Sequence, residues 1–439
     1  MQQEYTITRT LPVSAQTQVL VVGAGPAGVC AALEAARHGV SATLIEQGGD
    51  VGGIATIGLM SHWTGSADSS LYREILERSA QHSSGAGQEP TTLIDPENLK
   101  TLLLEMLLEA GVKLRLYTFA YDVIKKDGRL CGVATHSKSG DEIILADIII
   151  DASGDGDMAW KAGIPYTKGR EFDGKMQPAT LMFKVAGVDE ERAVFLGCFE
   201  DTYETPKGEL QALARQILPP PAGHVLLYRS TLPGVVTCNM TNCVEIDGTQ
   251  AQDLTRAQVS CRRQLQDILQ FLREYVPGYE NCYLISSASL IGIRETRHFK
   301  GDYTLTESDI AEARQFRDWV VSDAYFNFDV HNMAGAGLDE TGVQKKFRQN
   351  RGYTIPYGCL LAQGEDRLLL AGRNISGTHM AHSNYRAMPI CAAIGQAAGL
   401  AAALAVQTNC PPREVPASEI QRRLQQEGTG RGKALDLKG

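Results

Sequence analysis

Apolar positions near the start of the chain fall into two short runs with a helical stretch between them. Val19-Leu20-Val21-Val22 is continuous, too short for a core helix and stopped by Gly23, which predicts a strand buried on both faces. Ala31 to Arg37 is alanine-rich and predicts a helix, and Ala42–Glu46 is a second apolar run. Between the first strand and the helix stands Gly23-Ala24-Gly25-Pro26-Ala27-Gly28.

The same reading predicts a helix over Pro96–Ala110 and a strand near Val112–Leu116. Tyr117–Lys125 and Leu130–His136 are joined through Asp127-Gly128, a hairpin signal, and Asp141–Leu145 completes an antiparallel meander. Asp147–Asp151 then reads as a separate buried strand returning to a parallel sheet. It ends in the small-residue loop Ala152-Ser153-Gly154-Asp155-Gly156-Asp157. From about Glu171 to about Arg351 the pattern changes. Strands at Thr180–Ala186, His224–Tyr228 and Val235–Met240 mix with charged helices at Thr255–Tyr275 and Glu307–Val320. Parallel-sheet character resumes at Arg367–Arg373. The expected fold class is α/β. A discontinuous Rossmann-like nucleotide domain, residues 1–170 and 355–439, combines a parallel sheet with a β-meander, and an α+β cap, residues 171–354, is inserted into it. Ser83 to Gln88 is of low complexity, no internal repeat is evident, and the tail from Gly428 is expected to be mobile.

A strand, G-x-G-x-x-G and a helix in this order suit a dinucleotide pyrophosphate. Gly23 allows the tight turn, Gly25 lets backbone approach the phosphates, and Gly28 lets the helix pack closely on the strand. The helix start, through Ala24, Pro26 and Ala27, offers N–H groups and a positive dipole end to the anion. Glu46, with Gln47 beside it, ends the second strand where a ribose hydroxyl would be held. NAD and FAD share this fingerprint, and later segments favour FAD. Gly52-Gly53-Ile54-Ala55-Thr56 is placed to line the flavin, the meander carries Val123, and Ser153 and Gly154 can lie against the ligand. Gly372-Arg373 and the helix carrying Ala393 and Ile394 are expected to close over it, Pro389 suiting that helix's first turn. There is only one such fingerprint, which argues against a separate nicotinamide domain.

Charge and cysteine content narrow the class. With 42 basic and 51 acidic residues the net charge is −9, which argues against a nucleic-acid or acidic-membrane surface. The first residues lack a signal-peptide pattern. Ile390–Val406, interrupted by Gln396, is short for a bilayer span and reads as a buried helix, so no membrane span is expected. Ten cysteines without paired spacings suggest reduced thiols and a cytoplasmic protein.

Several motifs together resemble a known family. They are GAGPAGVCAA at the fingerprint, DASGDGD at 151–157, QPATLMFKVAGV at 177–188, PGYEN at 277–281 and IGIRETR at 291–297. LLLAGRNISGTHMAHSNYRAMPICAAIGQAAGLAAA at 368–403 completes the set. In these the chain resembles FAD-dependent oxidoreductases of the glutathione-reductase-like superfamily, and among them the bacterial family known as xanthan-lyase-like. The resemblance implies flavin redox chemistry without naming a substrate. A common variant of the AGR segment carries cysteine where this chain has Asn374.

Candidate chemistry lies late in the cap and at its junction with the nucleotide domain. Arg294 and Arg297 point to opposite faces if their segment is a strand, so one faces the flavin and the other braces the interface. Arginine suits bidentate capture of a carboxylate, and the family motif favours Arg294. His379, His382 and Arg386 fall between the AGR loop and the last long helix, beside the expected flavin ring. His331, in an acidic-x-His element, and His62 are further candidates for moving a proton while a hydride leaves for the flavin. H-x-x-H alone lacks a third ligand, so no metal is expected. Cys238 and Cys243 have a C-x4-C spacing but stand in the cap, and read as two small half-buried residues.

The expected function is FAD-dependent transfer of a hydride between a small polar metabolite and flavin N5, with an external electron acceptor or donor and a possible homo-oligomer. Two alternatives stand beside it: fumarate-reductase-like saturation or desaturation of a carboxylate substrate, and a flavin electron-transfer subunit.

Overall fold

A computed structural model of the protein describes residues 5–82, 92–339, 349 and 351–430. The Ser83–Gln88 stretch and the tail beyond Gly430 lie outside the described residues. The central sheet runs in the order Lys113–Arg115, Ala42–Ile45, Val13–Val22, Gly140–Asp151, Arg129–Ser137, Phe119–Lys126. Leu368–Leu370 also pairs with Gly140–Asp151, in parallel. Val22 is in register with Ile45 and with Asp151, and Leu370 with Asp151. Four strands therefore end together, and the segments that follow them, at Gly23, Glu46, Ala152 and Ala371, gather on one edge. That edge is where open α/β sheets bind ligands.

The meander is present, but its third strand and the returning parallel strand are one element, Gly140–Asp151. Its first half pairs antiparallel with Arg129–Ser137, and its second half is parallel to Leu368–Leu370. No glycine or proline separates Leu145 from Asp147, so the chain has no cause to turn there.

Two helices fix the nucleotide edge. Pro26–Arg37 follows the glycine turn, and Met388–Thr408 packs across it. A Cβ on Gly395 would lie 2.0 Å from the Ala27 carbonyl oxygen, and one on Gly399 2.3 Å from that of Ala31. The small residues of the later helix thus serve a close helix–helix crossing, where backbone contact with a cofactor was expected. By length and apolarity Met388–Thr408 meets the requirement for a membrane span, but 94% of its apolar window is buried inside the protein.

The long helix expected over 307–320 is corrected. The helix stops at Ala311 after a capping box between Thr306 and Asp309, and Ala313 takes a left-handed conformation. Trp319–Tyr325 is a strand, paired with Tyr353–Pro356 and with Ser66–Asp68. Val320 and Val321 bury against the core that contains Met388–Thr408, and this long-range burial overrides the charged, helix-like local pattern.

A second sheet, in the order Leu227–Arg229, Val236–Cys238, Phe183–Ala186, Tyr283–Ser287, carries its own core. Phe183, Val185, Leu227, Val236, Cys238 and Leu284 face that core together with Leu265, Ile268 and Leu272 of the helix Ala251–Tyr275. The opposite face meets the nucleotide unit, where the Ser61 and Thr237 hydroxyls lie 3.1 Å apart. Cys238 and Cys243 are free thiols, and both are fully buried where half-burial was expected.

Candidate active site

The glycine turn is built as its spacing predicts. Gly23 has φ +96° and its Cβ would lie 2.6 Å from the Ala152 oxygen, while a Cβ on Gly28 would lie 1.8 Å from the Gly23 oxygen. Around Gly25 no protein atom lies within 4 Å of a Cβ position, so the backbone there is open to a ligand. Glu46 Oε2 accepts from the Ala24 N–H at 2.8 Å and Oε1 from the Gly48 N–H at 2.8 Å. Its carboxylate thus stands over the turn, with Gln47 exposed beside it. The Gly52 N–H donates to the Ala24 oxygen at 2.7 Å, and Gly53–Ala55 forms a tight helical turn with Ile54 in it. Thr56 is fully buried and its hydroxyl donates to the Val51 oxygen at 2.7 Å; it holds the turn and has no free face for a ligand. Val123 pairs with Val133 within the meander. Tyr117 and Thr118, ahead of it, are tied by backbone N–H groups to Gly48 and Glu46.

The loop after Asp151 is pinned from two sides. Asp151 Oδ1 accepts from the Ser153 N–H and hydroxyl, and Oδ2 from the Ala159 N–H. Arg373, next to Gly372, reaches Asp155 Oδ1 at 2.6 Å and packs over Gly154, and Asn374 Nδ2 donates to the Asp151 oxygen at 2.9 Å. Asn374 therefore fixes the loop by hydrogen bonding, a role a cysteine would fill less well. Ala393 and Ile394 are buried in the first turns of Met388–Thr408, whose N-terminus no side chain caps.

The IGIRETR segment connects both units. Arg294 Nη1 donates to the Pro178 oxygen at 2.6 Å and to Thr180 Oγ1 at 2.9 Å. Thr296 donates to Asp155 at 2.7 Å, and Arg297 donates to the Asp155 oxygen and to Asp157. Arg297 braces the interface; Arg294 lies near Arg386 and Asp329.

Two polar clusters form there. In the first, Asp329 receives Arg386 Nη2 at 2.7 Å and His331 Nε2 lies 3.3 Å from it. Burial opposes ionisation of Asp329, but the His331 and Arg386 charges outweigh it and hold its carboxyl far below the usual range. Burial, then the Arg294 charge, lowers His331 to about 4, so the imidazole is neutral near pH 7. Burial and the Arg386 charge also lower Arg294, to about 10. His62 stands edge-on to Tyr228 at the border of this cluster.

In the second cluster Glu295, 1% exposed, accepts from His379 Nδ1 at 2.6 Å and from His298 Nε2 at 2.7 Å on one oxygen. Its other oxygen accepts from the Gln177 N–H. His379 Nε2, His298 Nδ1 and His382 Nδ1 are buried without partners among the described residues. His382 is enclosed, packed edge-on to His298 and Tyr385, and burial lowers its pKa well below the usual value. Glu295, His298 and His379 offer a three-donor group that could hold a metal, which the H-x-x-H spacing did not reveal. Their direct hydrogen bonds already satisfy the carboxylate. Arg294, His331 and Arg386 come together in one cluster, and His379 and His382 in the other. Glu295 was not singled out as a site residue: His298 is three residues on, but His379, which ties it to the far helix, lies 84 residues away.

This geometry fits FAD: a turn open at Gly25, a carboxylate at the end of the second strand, and an uncapped helix N-terminus for the electron-rich edge of the ring. The comparisons agree. The family model described as FAD dependent oxidoreductase matches residues 18–424. A digeranylgeranylglycerophospholipid reductase from Methanocella arvoryzae is 30% identical over 156 residues, a match spanning 31% of this chain and only 38% of that relative. A geranylgeranyl bacteriochlorophyll reductase-like protein from Thermoplasma acidophilum shares the fold at TM-score 0.51 and 14% identity, covering 94% of this chain and 84% of its own. The p-nitrophenol 4-monooxygenase of Pseudomonas putida does so at TM-score 0.50 and 12% identity, covering 94% and 86%. With the match running through nearly the whole chain, the protein belongs to the FAD-dependent oxidoreductase family, an enzyme whose cofactor is FAD.

Proposed function

We propose that the enzyme exchanges a hydride with a small polar metabolite bearing an anionic group, bound between the second sheet and the nucleotide unit. The observation that carries this is the charge balance of the cleft. Among the described residues, Arg294 and Arg386 share the neighbourhood of one carboxylate, Asp329, with His331 neutral, which leaves one positive charge for a substrate anion. When bound, FAD supplies the two-electron acceptor or donor at N5. In the oxidative direction the substrate C–H bond gives up its hydrogen with both electrons, and the O–H or N–H proton goes to His331 or His379. An entering anion offsets Arg294 and so makes His331 a stronger base. His382 has the enclosed surroundings of a packing residue. The substrate-side unit is then the 171–354 insertion only as far as about Ile293: Arg297–Phe299 pairs with Tyr166–Lys168, and Phe299, Leu305, Ile310, Val320 and Phe328 bury in the nucleotide unit's core. Reoxidation calls for an external acceptor, and the ten free thiols suit a reducing cytoplasm.

A second reading is saturation of a C–C double bond flanked by a carboxylate. The same arginine pair favours it, and one relative is a reductase. Anaerobic mixing of the purified holoenzyme with hydroxy, amino and dicarboxylic acids, and with neutral alcohols, tests the proposal. Bleaching of the flavin by an acid supports it, and bleaching by neutral compounds alone sinks it. Inertness of the oxidised enzyme, with reoxidation of the reduced enzyme by an unsaturated acid, selects the second reading.

A further inference from the structure

The residues that open the QPATLMFKVAGV motif, Gln177 to Thr180, touch both polar clusters at once. The Gln177 N–H donates to Glu295 Oε2 at 3.0 Å, and Gln177 Oε1 accepts from the His331 N–H at 3.2 Å. The Pro178 oxygen and Thr180 Oγ1 both accept from Arg294. Backbone bridges from Ala179 to Cys243 and from Thr180 to Gly292 fix the segment in place. Gln177 therefore stands where the His379–Glu295 pair and the His331–Asp329 pair meet.

Its amide is only half used. Gln177 is 3% exposed, and its Nε2 has no partner among the described residues. Turning the amide over gives no relief, because an NH2 group facing the His331 N–H would set donor against donor. A buried amide donor without an acceptor is costly, and native structures keep few of them. Arg386 Nε is likewise buried and unpartnered among the described residues, while its Nη2 holds Asp329 beside His331. Two unspent N–H donors thus belong to the residues of one cluster, and both call for an oxygen acceptor. The single positive charge left over there suits a carboxylate better than a doubly charged phosphate.

We propose that Gln177 is a substrate-binding residue whose Nε2 donates to an oxygen of the substrate's carboxylate, so that the acid is recognised and its amide is rejected. This deepens the reading of an anionic substrate and rests on it. Gln177 Oε1 keeps His331 in place at the same time.

The experiment uses the FAD-loaded enzyme with glycolate and its amide, glycolamide, as probes, in titration calorimetry and through the flavin absorption spectrum. Wild type should bind glycolate more tightly than glycolamide. Gln177→Glu keeps the acceptor for the His331 N–H and turns the unspent donor into an acceptor. It should raise the glycolate Kd by about tenfold or more and lower that of glycolamide. Gln177→Met removes both groups and should narrow the preference for the acid by about tenfold; it is decisive alone if the Glu variant takes up no FAD. Comparing acid with amide in the same variant cancels damage to the fold that affects both. Glycolate binding as in wild type by both variants means that Gln177 serves only His331 or an ordered water. That result overturns the proposal and leaves the anionic-substrate reading standing. Weaker glycolate binding by the Glu variant, with glycolamide unchanged and the Met variant's preference intact, marks an effect of charge alone and also overturns it. Failure of wild type to bind glycolate overturns it together with the reading on which it rests.

Discussion

His379 Nδ1 lies 2.6 Å from Glu295 Oε1, and this bond joins the helix His379–Tyr385 to the irregular segment just ahead of the strand Arg297–Phe299. The carboxylate can only accept, so His379 and His298 must each present an N–H to it. When neutral, His379 then carries its lone pair on Nε2, the buried atom without a partner.

Replacing Glu295 with Ala removes the acceptor of two imidazole N–H groups and of the Gln177 N–H. At about 1–3 kcal/mol for each buried group left unsatisfied, the variant should lose about 3 kcal/mol or more. Denaturant unfolding measures this, and a loss well under 1 kcal/mol would mean the cluster is hydrated.

Burial opposes the Glu295 charge, but hydrogen bonds from His298 and His379 prevail and hold its carboxyl well below the usual range. A depressed folded-state pKa gives stability that is present above the unfolded value, about 4.3, and is lost as pH falls through the folded one. Wild type should therefore weaken in acid more steeply than Glu295→Gln. Parallel melting curves for the two below about pH 4 would contradict this.

Gly25 and Gly28 should respond differently to the same added methyl group. Gly28→Ala drives a Cβ to 1.8 Å from the Gly23 oxygen, so both fold stability and FAD content should fall. Gly25→Ala meets no protein atom within 4 Å, so the apoprotein should melt as wild type does while FAD affinity drops. Flavin release measured by fluorescence, alongside thermal unfolding, separates the two.

Far from the site, His38 Nε2 is shared by Glu34 at 3.2 Å and Glu427 at 2.7 Å. Hydrogen bonds to Glu34 and Glu427 raise His38 to about 9, and burial raises Glu34 to about 7. Both folded-state values lie above the unfolded ones, so the stability they give is full only below about pH 4.3 for Glu34 and below about pH 6.5 for His38. It is lost as pH rises through about 7 for Glu34 and about 9 for His38. Protection factors around residues 427–430, taken against the intrinsic exchange rate at each pH, should fall between pH 6.5 and 9, and His38→Gln should flatten that fall. A flat profile in wild type would refute the linkage.

Much of the nucleotide half was legible because its signals are local. The first strand, the glycine turn, the helix and Glu46 lie close together in sequence, and Gly28 is required by a contact with Gly23 inside that stretch. Errors arose where distant partners decide. Residues 307–320 look helical by composition, yet Trp319–Tyr325 becomes a strand because Ser66–Asp68 and Tyr353–Pro356 flank it. The glycines of Met388–Thr408 were legible as small but not as the groove for Ala27 and Ala31. Among the candidate site residues the arginines and histidines stood out by type, whereas the role of Glu295 shows only through what it touches.

That helix crossing also bears on how the protein is made. Gly395 and Gly399 close directly on the backbone of Ala27 and Ala31, so the helix Pro26–Arg37 waits for one synthesised far later in the chain. Until residue 400 has emerged, the glycine turn has no lid on its outer side, and the alanine face behind it is bare. Contacts of such long sequence separation form late and slowly. The nascent chain must therefore shield its opening apolar segment for most of synthesis, and a chain stopped short of this helix should aggregate before it can take up flavin.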